Sequence, residues 1–231
     1  MKNFIDKIYN RIKIITLLIF DPYVNLYWSQ EGEDILLKRI FENKKKGFYI
    51  DVGAHHSTRF SNTYKLYKED GWCGINIDPN EDSYNNLKKN RKRDININCG
   101  ISDKDEYLKF YCFKENALNT FSVKKKNQLK KNLLVKKKIS VICKRLDNLL
   151  DSHIKKSLNI DLLTIDAEGY DLKVLKSNNW NKYRPTYIIV EIASETISEI
   201  FKHPIYHFLI KKNYDIYSKL NKSVIFKTSH F

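Results

Sequence analysis

The sequence predicts a single α/β domain built on a doubly wound, mostly parallel sheet. Strand-like and helix-like segments alternate along the chain, which is typical of βαβ units. Four of the strand-like runs end in a carboxylate, at Asp51, Asp78, Asp166 and Glu191. The ligand crevice of an open α/β sheet lies outside the carboxyl ends of its strands, so we expect these side chains to meet there. A length of 231 residues suits one such domain.

Apolar periodicity predicts the elements of the first half. Apolar positions at helical spacing begin the domain, and β-branched and aromatic residues then run into Asp51 as a buried strand. Gly71 is a normal C-terminal stop for the helix before it. The predicted elements are helix 30–43, a strand ending at Asp51, helix 58–70, a strand ending at Asp78, helix 81–90 and strand 95–99.

The second half continues the pattern and ends in an antiparallel hairpin. The predicted elements are strands 107–113, 139–143 and 160–165, helix 171–177, strand 186–190, helix 197–210 and strands 214–218 and 223–227. Residues 124–138 contain eight lysines, which predicts an insertion on the surface. We expect residues 1–28 to form a helical extension and residues 29–231 the domain.

The composition narrows the classes of partner and compartment but does not identify one function. The formal net charge of +15 favours polyanions, membranes or anionic substrates as partners. Four cysteines without a C-x-x-C pair predict free thiols in a reduced, cytoplasmic compartment. The apolar run 12–20 contains Lys13, is too short to span a bilayer and lacks a small-residue cleavage site. We expect a helix packed on the domain there, with an amphipathic helix in peripheral membrane contact as the alternative.

The turn after Asp51 predicts a nucleoside-bearing cofactor. Gly53 can adopt positive φ and lets a ligand approach the backbone. Asp78 can accept hydrogen bonds from both ribose hydroxyls. A dinucleotide needs G-x-G-x-x-G to hold its pyrophosphate, but Gly53 is followed by Ala-His-His-Ser. S-adenosylmethionine has a ribose and no phosphate, so it is the cofactor that this pattern favours, and a nicotinamide-dependent oxidoreductase is the least favoured class.

Four ordered segments together resemble one family. They are Phe48-Tyr-Ile-Asp-Val-Gly-Ala-His-His56 and the segments 59–64, 72–78 and 163–175. They are similar to the FkbM-type S-adenosylmethionine-dependent methyltransferases, over roughly residues 29–227. The resemblance implies a seven-stranded class I methyltransferase fold. It also implies O-methylation, often of sugar hydroxyls in surface glycans such as capsule or lipopolysaccharide, or in other glycoconjugates.

The resemblance also implies site residues. It places Asp51, Gly53 and Ala54 near the methionine part of the cofactor, Asp78 with the adjacent Pro79 at the ribose, and residues 101–103, including Ile101 and Ser102, beside the adenine. Asp166 is a further candidate for cofactor contact. His55 departs from the asparagine that many relatives have after Gly-Ala.

Methyl transfer to a hydroxyl requires alignment of the acceptor oxygen and removal of its proton. The candidate bases are His55, His56, Asp166 and Glu168. Histidine titrates near neutrality, and we favour it slightly because the pair adjoins the methyl-donor loop. Asp166 and Glu168 could instead cap a helix N-terminus. In a third alternative, Asp166, Glu168 and Glu191 hold Mg²⁺, which lowers the pKa of the hydroxyl.

Two other function classes compete with sugar methylation. An RNA methyltransferase would use the basic surface to neutralise phosphates. Against it, Asp166-Ala-Glu-Gly169 is unlike the Asn/Asp-Pro-Pro-aromatic motif used on base amines, and the lysine-rich stretch lacks aromatic residues for stacking. A non-enzymatic module docked on an anionic membrane is the other class. We expect a sugar or glycan acceptor, nucleotide-linked or otherwise anionic, and the oligomeric state stays open.

Overall fold

A computed structural model of the chain describes residues 2–21, 23–42, 44–129, 135–154 and 158–229. The strands are β1 (Phe48–Val52), β2 (Cys73–Ile77), β3 (Ile95–Ile97), β4 (Gly100–Ile101), β5 (Glu106–Phe113), β6 (Val135–Lys144), β7 (Leu162–Ile165), β8 (Tyr187–Glu191), β9 (Tyr214–Lys219) and β10 (Ser223–Thr228). The helices are α1 (Lys2–Phe20), α2 (Glu33–Ile40), α3 (Tyr64–Asp70), α4 (Glu81–Asn90), α5 (Val123–Gln128), α6 (Leu146–His153), α7 (Asp171–Lys176), α8 (Ile197–Ile200) and α9 (Pro204–Ile210), with a 3₁₀ turn at Asn116–Leu118.

The main sheet has seven strands in the order β3-β2-β1-β7-β8-β10-β9. Neighbours from β3 to β8 are parallel, while β10 is antiparallel to both β8 and β9. The chain winds outward from β1 in one direction and later from β7 in the other. The order therefore reverses between β1 and β7, which makes a crevice at the carboxyl ends of these strands. This is the class I methyltransferase arrangement, and the prediction of fold class is confirmed.

Alternating side chains of the central strands fill a core on each face of the sheet. Ile50 and Val52 of β1 pack in the larger core with apolar residues of α6, α7 and α9. Tyr49 points to the other face, where Leu37 of α2 and Leu66 of α3 cover it. Because successive side chains of β1 point to opposite faces of the sheet, this one strand contributes to both cores. Its carboxyl end carries polar groups.

The segments 107–113 and 139–143 are strands, as predicted, but they belong to a second, three-stranded sheet with the order β4-β6-β5. Its small core contains Phe110, Phe121 and two of the four free cysteines, Cys112 and Cys143. The lysine-rich stretch forms part of α5 and the beginning of β6, which is the central strand of this sheet. Residues 130–134, in the middle of the stretch, lie outside the described residues.

Three predicted helices have clearly different bounds in the structure. The helix predicted over 58–70 begins only at Tyr64, because Phe60 has a left-handed backbone (φ 58°) and the Ser61 hydroxyl accepts the Tyr64 N–H at 3.1 Å. The helix predicted over 197–210 is two helices, since His203 Nδ1 accepts the Ile205 N–H and Pro204 starts α9. The predicted helix 30–43 is shorter, following Gly32 at φ 89°.

Helix α1 does not pack on the domain, so the expectation of a packed helix was wrong. All of its described side chains are exposed, including Ile12 at 59% and Ile19 at 69%. Among the helices that the structure describes, none is long and apolar enough to cross a membrane.

Candidate active site

One cleft lies at the carboxyl ends of the parallel strands and encloses about 1370 Å³, counting its open mouth. Three groups of residues line it. The first wall is formed at the ends of β1 and β2 by Asp51, Gly53, Ala54, His55, Asp78 and Pro79. The acidic wall, at the ends of β7 and β8, comprises Asp166, Glu168 and Glu191, with Lys125 beside them. The amide wall comprises Phe110, Asn116, Asn119 and Phe121.

Gly53 joins the first wall to the acidic wall. It has φ 82°, and a Cβ at this position would lie 1.9 Å from the Asp166 carbonyl oxygen. Any side chain would collide with backbone there, so glycine is required for close packing as well as for conformation. The backbone N–H groups of Gly53 and Ala54 both donate to the Ile77 carbonyl, at 2.9 and 3.2 Å. The turn after β1 is therefore fixed from both sides.

Asp78 is a buried acceptor held by backbone donors. Its two carboxylate oxygens accept the N–H of His55 and the N–H of Asn80, both at 2.8 Å. Burial raises the pKa of Asp78 to about 6, although these hydrogen bonds lower it in part. The Ser83 side chain also hydrogen-bonds this carboxylate. Each oxygen has a lone pair beyond its backbone donor, so a ligand that places a hydroxyl on each oxygen would share one of them with Ser83.

Asp51 is positioned by a buried polar network that the sequence analysis did not anticipate. Its carboxylate accepts the Thr63 hydroxyl at 2.9 Å. Thr63 in turn accepts Arg91 Nη2 at 2.9 Å, and Arg91, with no exposed surface, also donates to Asp94 at 2.9 Å. Burial raises the pKa of Asp51 to about 6, against the opposing effects of Thr63 and Arg91. The network beneath the cleft thus fixes the orientation of Asp51.

The two histidines differ in position. His55 lines the cleft with a left-handed backbone (φ 52°), and its buried Nε2 has no hydrogen-bond partner among the residues that the structure describes. Burial lowers the pKa of His55 to about 4, so the ring is neutral at pH 7. His56 is not part of the lining. Its Nδ1 accepts the backbone N–H groups of Thr58 and Arg59, both at 3.1 Å, which makes it a cap of the turn and removes that nitrogen as a base.

The acidic wall brings together Asp166, Glu168 and Glu191, whose oxygens lie within 4.8 Å of one another. Lys125 contacts Glu168 and lies 3.0 Å from Glu191. Burial disfavours the ammonium, but the two glutamates outweigh it and raise the pKa of Lys125. The expectation that the lysine-rich stretch lies on the surface therefore fails at Lys125, which completes this wall.

The Asp166 carboxylate is reached from the cleft, and it accepts no hydrogen bond from the described residues. The residue is exposed to the cleft, but the protein packed around its carboxylate, together with the charges of Glu191 and Glu168, raises the pKa of Asp166 above its ordinary range. Burial also raises the pKa of Glu168, although Lys125 opposes it. Crowded carboxylates of this kind share protons more readily than isolated ones.

The helix-capping role considered for Asp166 and Glu168 belongs to another residue. Asp171 accepts the backbone N–H groups of Ala167 and Gly169, at 2.9 and 3.0 Å. Glu168 has a left-handed backbone (φ 49°), and its carbonyl accepts the Thr120 hydroxyl at 2.7 Å. Neither Asp166 nor Glu168 is therefore used to cap the helix that follows.

Magnesium does not fit this donor set as it stands. A divalent cation prefers ligand shells of oxygen atoms, but two of the three carboxylates already have the Lys125 ammonium as their cation. A metal ion at the same place would have to displace that ammonium.

The amide wall belongs to the second sheet. The Phe121 ring packs 4.6 Å from Phe110 and 5.4 Å from Tyr170, measured between centroids. The Asn119 side-chain oxygen accepts the Phe113 N–H at 2.8 Å, which fixes the turn that carries Asn116. Sequence reasoning missed this wall. The run Asn116-Ala-Leu-Asn-Thr-Phe121, rich in amide and aromatic groups, is the signal that could have indicated it.

An ion pair connects the amide wall to the first wall. The Arg59 guanidinium donates two hydrogen bonds, of 3.1 and 3.0 Å, to the Glu115 carboxylate. Of the residues expected beside the adenine, Ile101 lines the cleft. Ser102 is not part of the lining, and its buried hydroxyl donates to Glu106 at 2.9 Å.

The first wall fits S-adenosylmethionine. Asp78 offers an ordered carboxylate with acceptor capacity for two hydroxyls, and Gly53 allows close approach of a ligand to the backbone. The unpartnered His55 Nε2 adds one polar atom in the same lining. There is no glycine-rich cradle for a pyrophosphate.

Three solved methyltransferases are similar to the chain at low identity. A TehB-like S-adenosylmethionine-dependent methyltransferase from Corynebacterium glutamicum has 6% identity and a TM-score of 0.41, covering 96% of this chain and 97% of that one. Precorrin-6y C5,15-methyltransferase from Geobacter metallireducens has 11% identity and a TM-score of 0.45, covering 85% and 88%. The METTL16 methyltransferase domain has 10% identity and a TM-score of 0.44, covering 84% and 65%.

The family of this chain is identified from its sequence. No curated protein matches the chain. Residues 51–216 match the methyltransferase FkbM domain, a span that contains the first wall, the acidic wall and the amide wall. The match begins at the strand-end carboxylate Asp51 and ends within β9, so it covers most of the main sheet. The chain belongs to the FkbM methyltransferase domain family.

Proposed function

We propose that the chain transfers a methyl group from S-adenosylmethionine to a hydroxyl of a sugar. The observation that carries this proposal is the acidic wall facing the same cleft as the amide wall. Carboxylate and amide groups hydrogen-bond hydroxyls, and the Phe110 and Phe121 rings offer apolar surface to the C–H faces of a sugar ring. Such a mixture suits a hydroxyl-rich, uncharged ring better than a flat nucleobase.

The first wall would hold the cofactor. Asp78 would accept the ribose hydroxyls, the turn at Asp51, Gly53 and Ala54 would lie at the methionine part, and Pro79 and Ile101 would border the adenine. When bound, S-adenosylmethionine supplies an activated methyl group on a sulfonium. The remaining requirements are an aligned acceptor oxygen and a group that takes its proton, and these fall to the residues of the other two walls.

We assign proton removal to Asp166. A general base works best when its pKa approaches the working pH, and the pKa of Asp166 is raised while its oxygens have no donors among the described residues. Lys125 offsets the charge of Glu168 and Glu191, so the wall tolerates the carboxylate form of Asp166. Histidine, which the sequence slightly favours as the base, is not the base in this proposal, because burial lowers the pKa of His55 to about 4 and His56 Nδ1 caps a turn.

The acceptor is expected to carry negative charge elsewhere on the molecule. The net charge of +15 attracts anions, and exposed Lys222 lies in the lining of the cleft beside Glu191. A nucleotide-linked sugar or a phosphorylated glycan has both groups that this site would bind. Its neutral sugar ring would lie at the acidic wall, and its phosphate would lie near Lys222. A glycan-modifying role in surface polysaccharide or glycoconjugate assembly follows from such an acceptor.

The test is transfer of a labelled methyl group from S-adenosylmethionine to a panel of nucleotide sugars, phosphorylated glycans, neutral oligosaccharides and RNA. We expect label on a sugar hydroxyl of an anionic acceptor, identified by mass spectrometry of the product. Label on RNA alone would replace this proposal by the nucleic-acid alternative. Asp78→Ala serves as the control that label depends on the cleft.

A further inference from the structure

We propose that α1 is a membrane-surface helix that lies on an anionic lipid bilayer. Ile8, Ile12, Ile15 and Ile19 follow one another at helical spacing and form a stripe on one face of α1. They are 43%, 59%, 56% and 69% exposed. Helices of the domain, by contrast, bury their apolar faces, as Leu146 and Leu150 of α6 show with no exposed surface. The stripe is thus a large apolar surface that no described part of the domain covers.

The charges of α1 match an anionic surface. Residues 2–20 contain Lys2, Lys7, Arg11 and Lys13 against a single acid, Asp6. By helical periodicity Arg11 borders the isoleucine stripe, while Asn10 lies about 170° round the helix from its centre. A basic side chain beside an apolar face can extend its stem along the lipid surface while its charge meets a phosphate.

Two exposed aromatic residues lie at the C-terminal end of α1 and just after it. Phe20 is 79% exposed and Tyr23 is 88% exposed. Tyrosine prefers the boundary between headgroups and acyl chains, where its ring is apolar and its hydroxyl stays hydrated. The apolar stripe, the basic border and the aromatic end are the three features that an interfacial helix combines.

A second copy of the chain is the competing occupant, and the residues disfavour it. The spacing of the stripe is that of a heptad pattern, but it lasts for only about two heptads, which is short for a coiled coil. The positions that flank the stripe include Tyr9, Arg11 and Thr16, so no acidic partner is present for an interhelical ion pair. Two helices with an excess of basic residues would also repel each other.

The test compares two variants of the full chain that change the net charge equally. Ile12→Asp places a carboxylate in the stripe, and Asn10→Asp places one on the opposite face. In sedimentation with phosphatidylcholine vesicles rich in phosphatidylglycerol, we expect Ile12→Asp to weaken binding by at least about tenfold and Asn10→Asp to have a much smaller effect. Calorimetry with S-adenosylmethionine verifies that both variants are folded.

A third variant tests the charge requirement. Replacing Arg11 and Lys13 together with Gln should weaken binding to the anionic vesicles by roughly 25-fold, about fivefold for each charge, and leave the weak binding to pure phosphatidylcholine unchanged. Equal binding of Ile12→Asp and Asn10→Asp would overturn the proposal. Self-association in ultracentrifugation that Ile12→Asp abolishes, without vesicle binding by the unmodified chain, would assign the stripe to a second copy instead.

Discussion

On the first wall each carboxylate is held by neutral donors, whereas on the acidic wall the carboxylates face one another and a lysine. Asp51 accepts a threonine hydroxyl and Asp78 accepts two backbone N–H groups. Asp166 has no such donors among the described residues and is crowded by Glu168 and Glu191. All of these residues lie at or just after the carboxyl ends of parallel strands, so strand position alone does not decide their chemistry. Fixed donors suit a carboxylate that binds hydroxyls, and crowding suits one that exchanges a proton.

The largest expected effect separates the two walls. Asp166→Asn keeps the size of the side chain but removes its capacity to take a proton, so we expect kcat to fall by about 10²–10⁴-fold. The affinity for S-adenosylmethionine, measured by calorimetry, should change little. If the variant loses affinity for S-adenosylmethionine and keeps its turnover, Asp166 binds the cofactor and does not accept the proton.

Lys125→Met tests what the cation of the acidic wall does. Without the ammonium, Glu168 and Glu191 repel each other, and we expect kcat to fall by about 10–10²-fold with the pH profile of kcat displaced to higher pH. Lys124→Met, which alters an exposed neighbour, is the matched control. The vacated carboxylates should also bind Mn²⁺ more tightly than in the unmodified chain, which calorimetry can measure. An unchanged pH profile would show that Lys125 has only a structural role.

Asp78→Ala tests the first wall directly. Loss of a charged acceptor for the ribose hydroxyls should weaken S-adenosylmethionine binding by about ten- to a hundredfold, which corresponds to roughly 1.5–3 kcal/mol. Asp82→Ala, at an exposed site on α4, is the control and should leave the affinity unchanged. If a folded Asp78→Ala variant binds the cofactor as tightly as the unmodified chain, the proposed ribose site is wrong.

The buried carboxylates also predict a pH dependence of stability. The pKa of Asp51 is about 6 in the folded chain, above the ordinary value of 3.8. The folded state therefore binds a proton more readily, and this group adds stability as pH falls from about 6 towards 4, by at most about 2–3 kcal/mol. Urea unfolding at pH 4.5 and 7 should show a smaller pH effect in Asp51→Asn than in the unmodified chain. An equal effect in both would mean that Asp51 titrates normally.

The smallest expected effects concern the two histidines. His55→Ala and His56→Ala should each change kcat by less than about tenfold, because neither imidazole is placed as the base. His56→Ala should lower the free energy of unfolding by about 0.5–2 kcal/mol, since two backbone N–H groups lose their acceptor. A fall of more than about 10² in kcat for His55→Ala, with cofactor affinity intact, would restore the histidine mechanism.

The sequence predicted the sheet and the strand-end carboxylates because both depend on local patterns. Strands running into Asp51, Asp78 and Asp166 have a period and a polar end that are visible in one segment. Lys125 could not be found in this way. It is one lysine among eight in its stretch, and only its ion pairs with Glu168 and Glu191 distinguish it from exposed Lys124.

The other predictions that were wrong concern Ser102, the start of α3 and the packing of α1. They also depend on features that a local sequence pattern does not contain. Ser102 follows a strand as expected, but its hydroxyl is taken by Glu106. The late start of α3 depends on the left-handed backbone of Phe60. The conformational propensities of the neighbouring residues do not require that backbone conformation. Helix α1 has a clear periodicity, and the pattern alone does not say whether the domain or another surface covers its apolar face.

The contact between Gly53 and the Asp166 carbonyl has a consequence for how this enzyme can diverge. It joins the proposed methyl-donor site to the residue proposed as proton acceptor, at a contact where a single added carbon cannot be accommodated. The amide wall is carried by a separate small sheet, which is joined to that contact by the ion pair between Arg59 and Glu115 and by the hydrogen bond from the Thr120 hydroxyl to the Glu168 carbonyl. Substitutions in the amide wall can therefore change which acceptor fits, under the function proposed above, while Gly53 and Asp166 stay as they are.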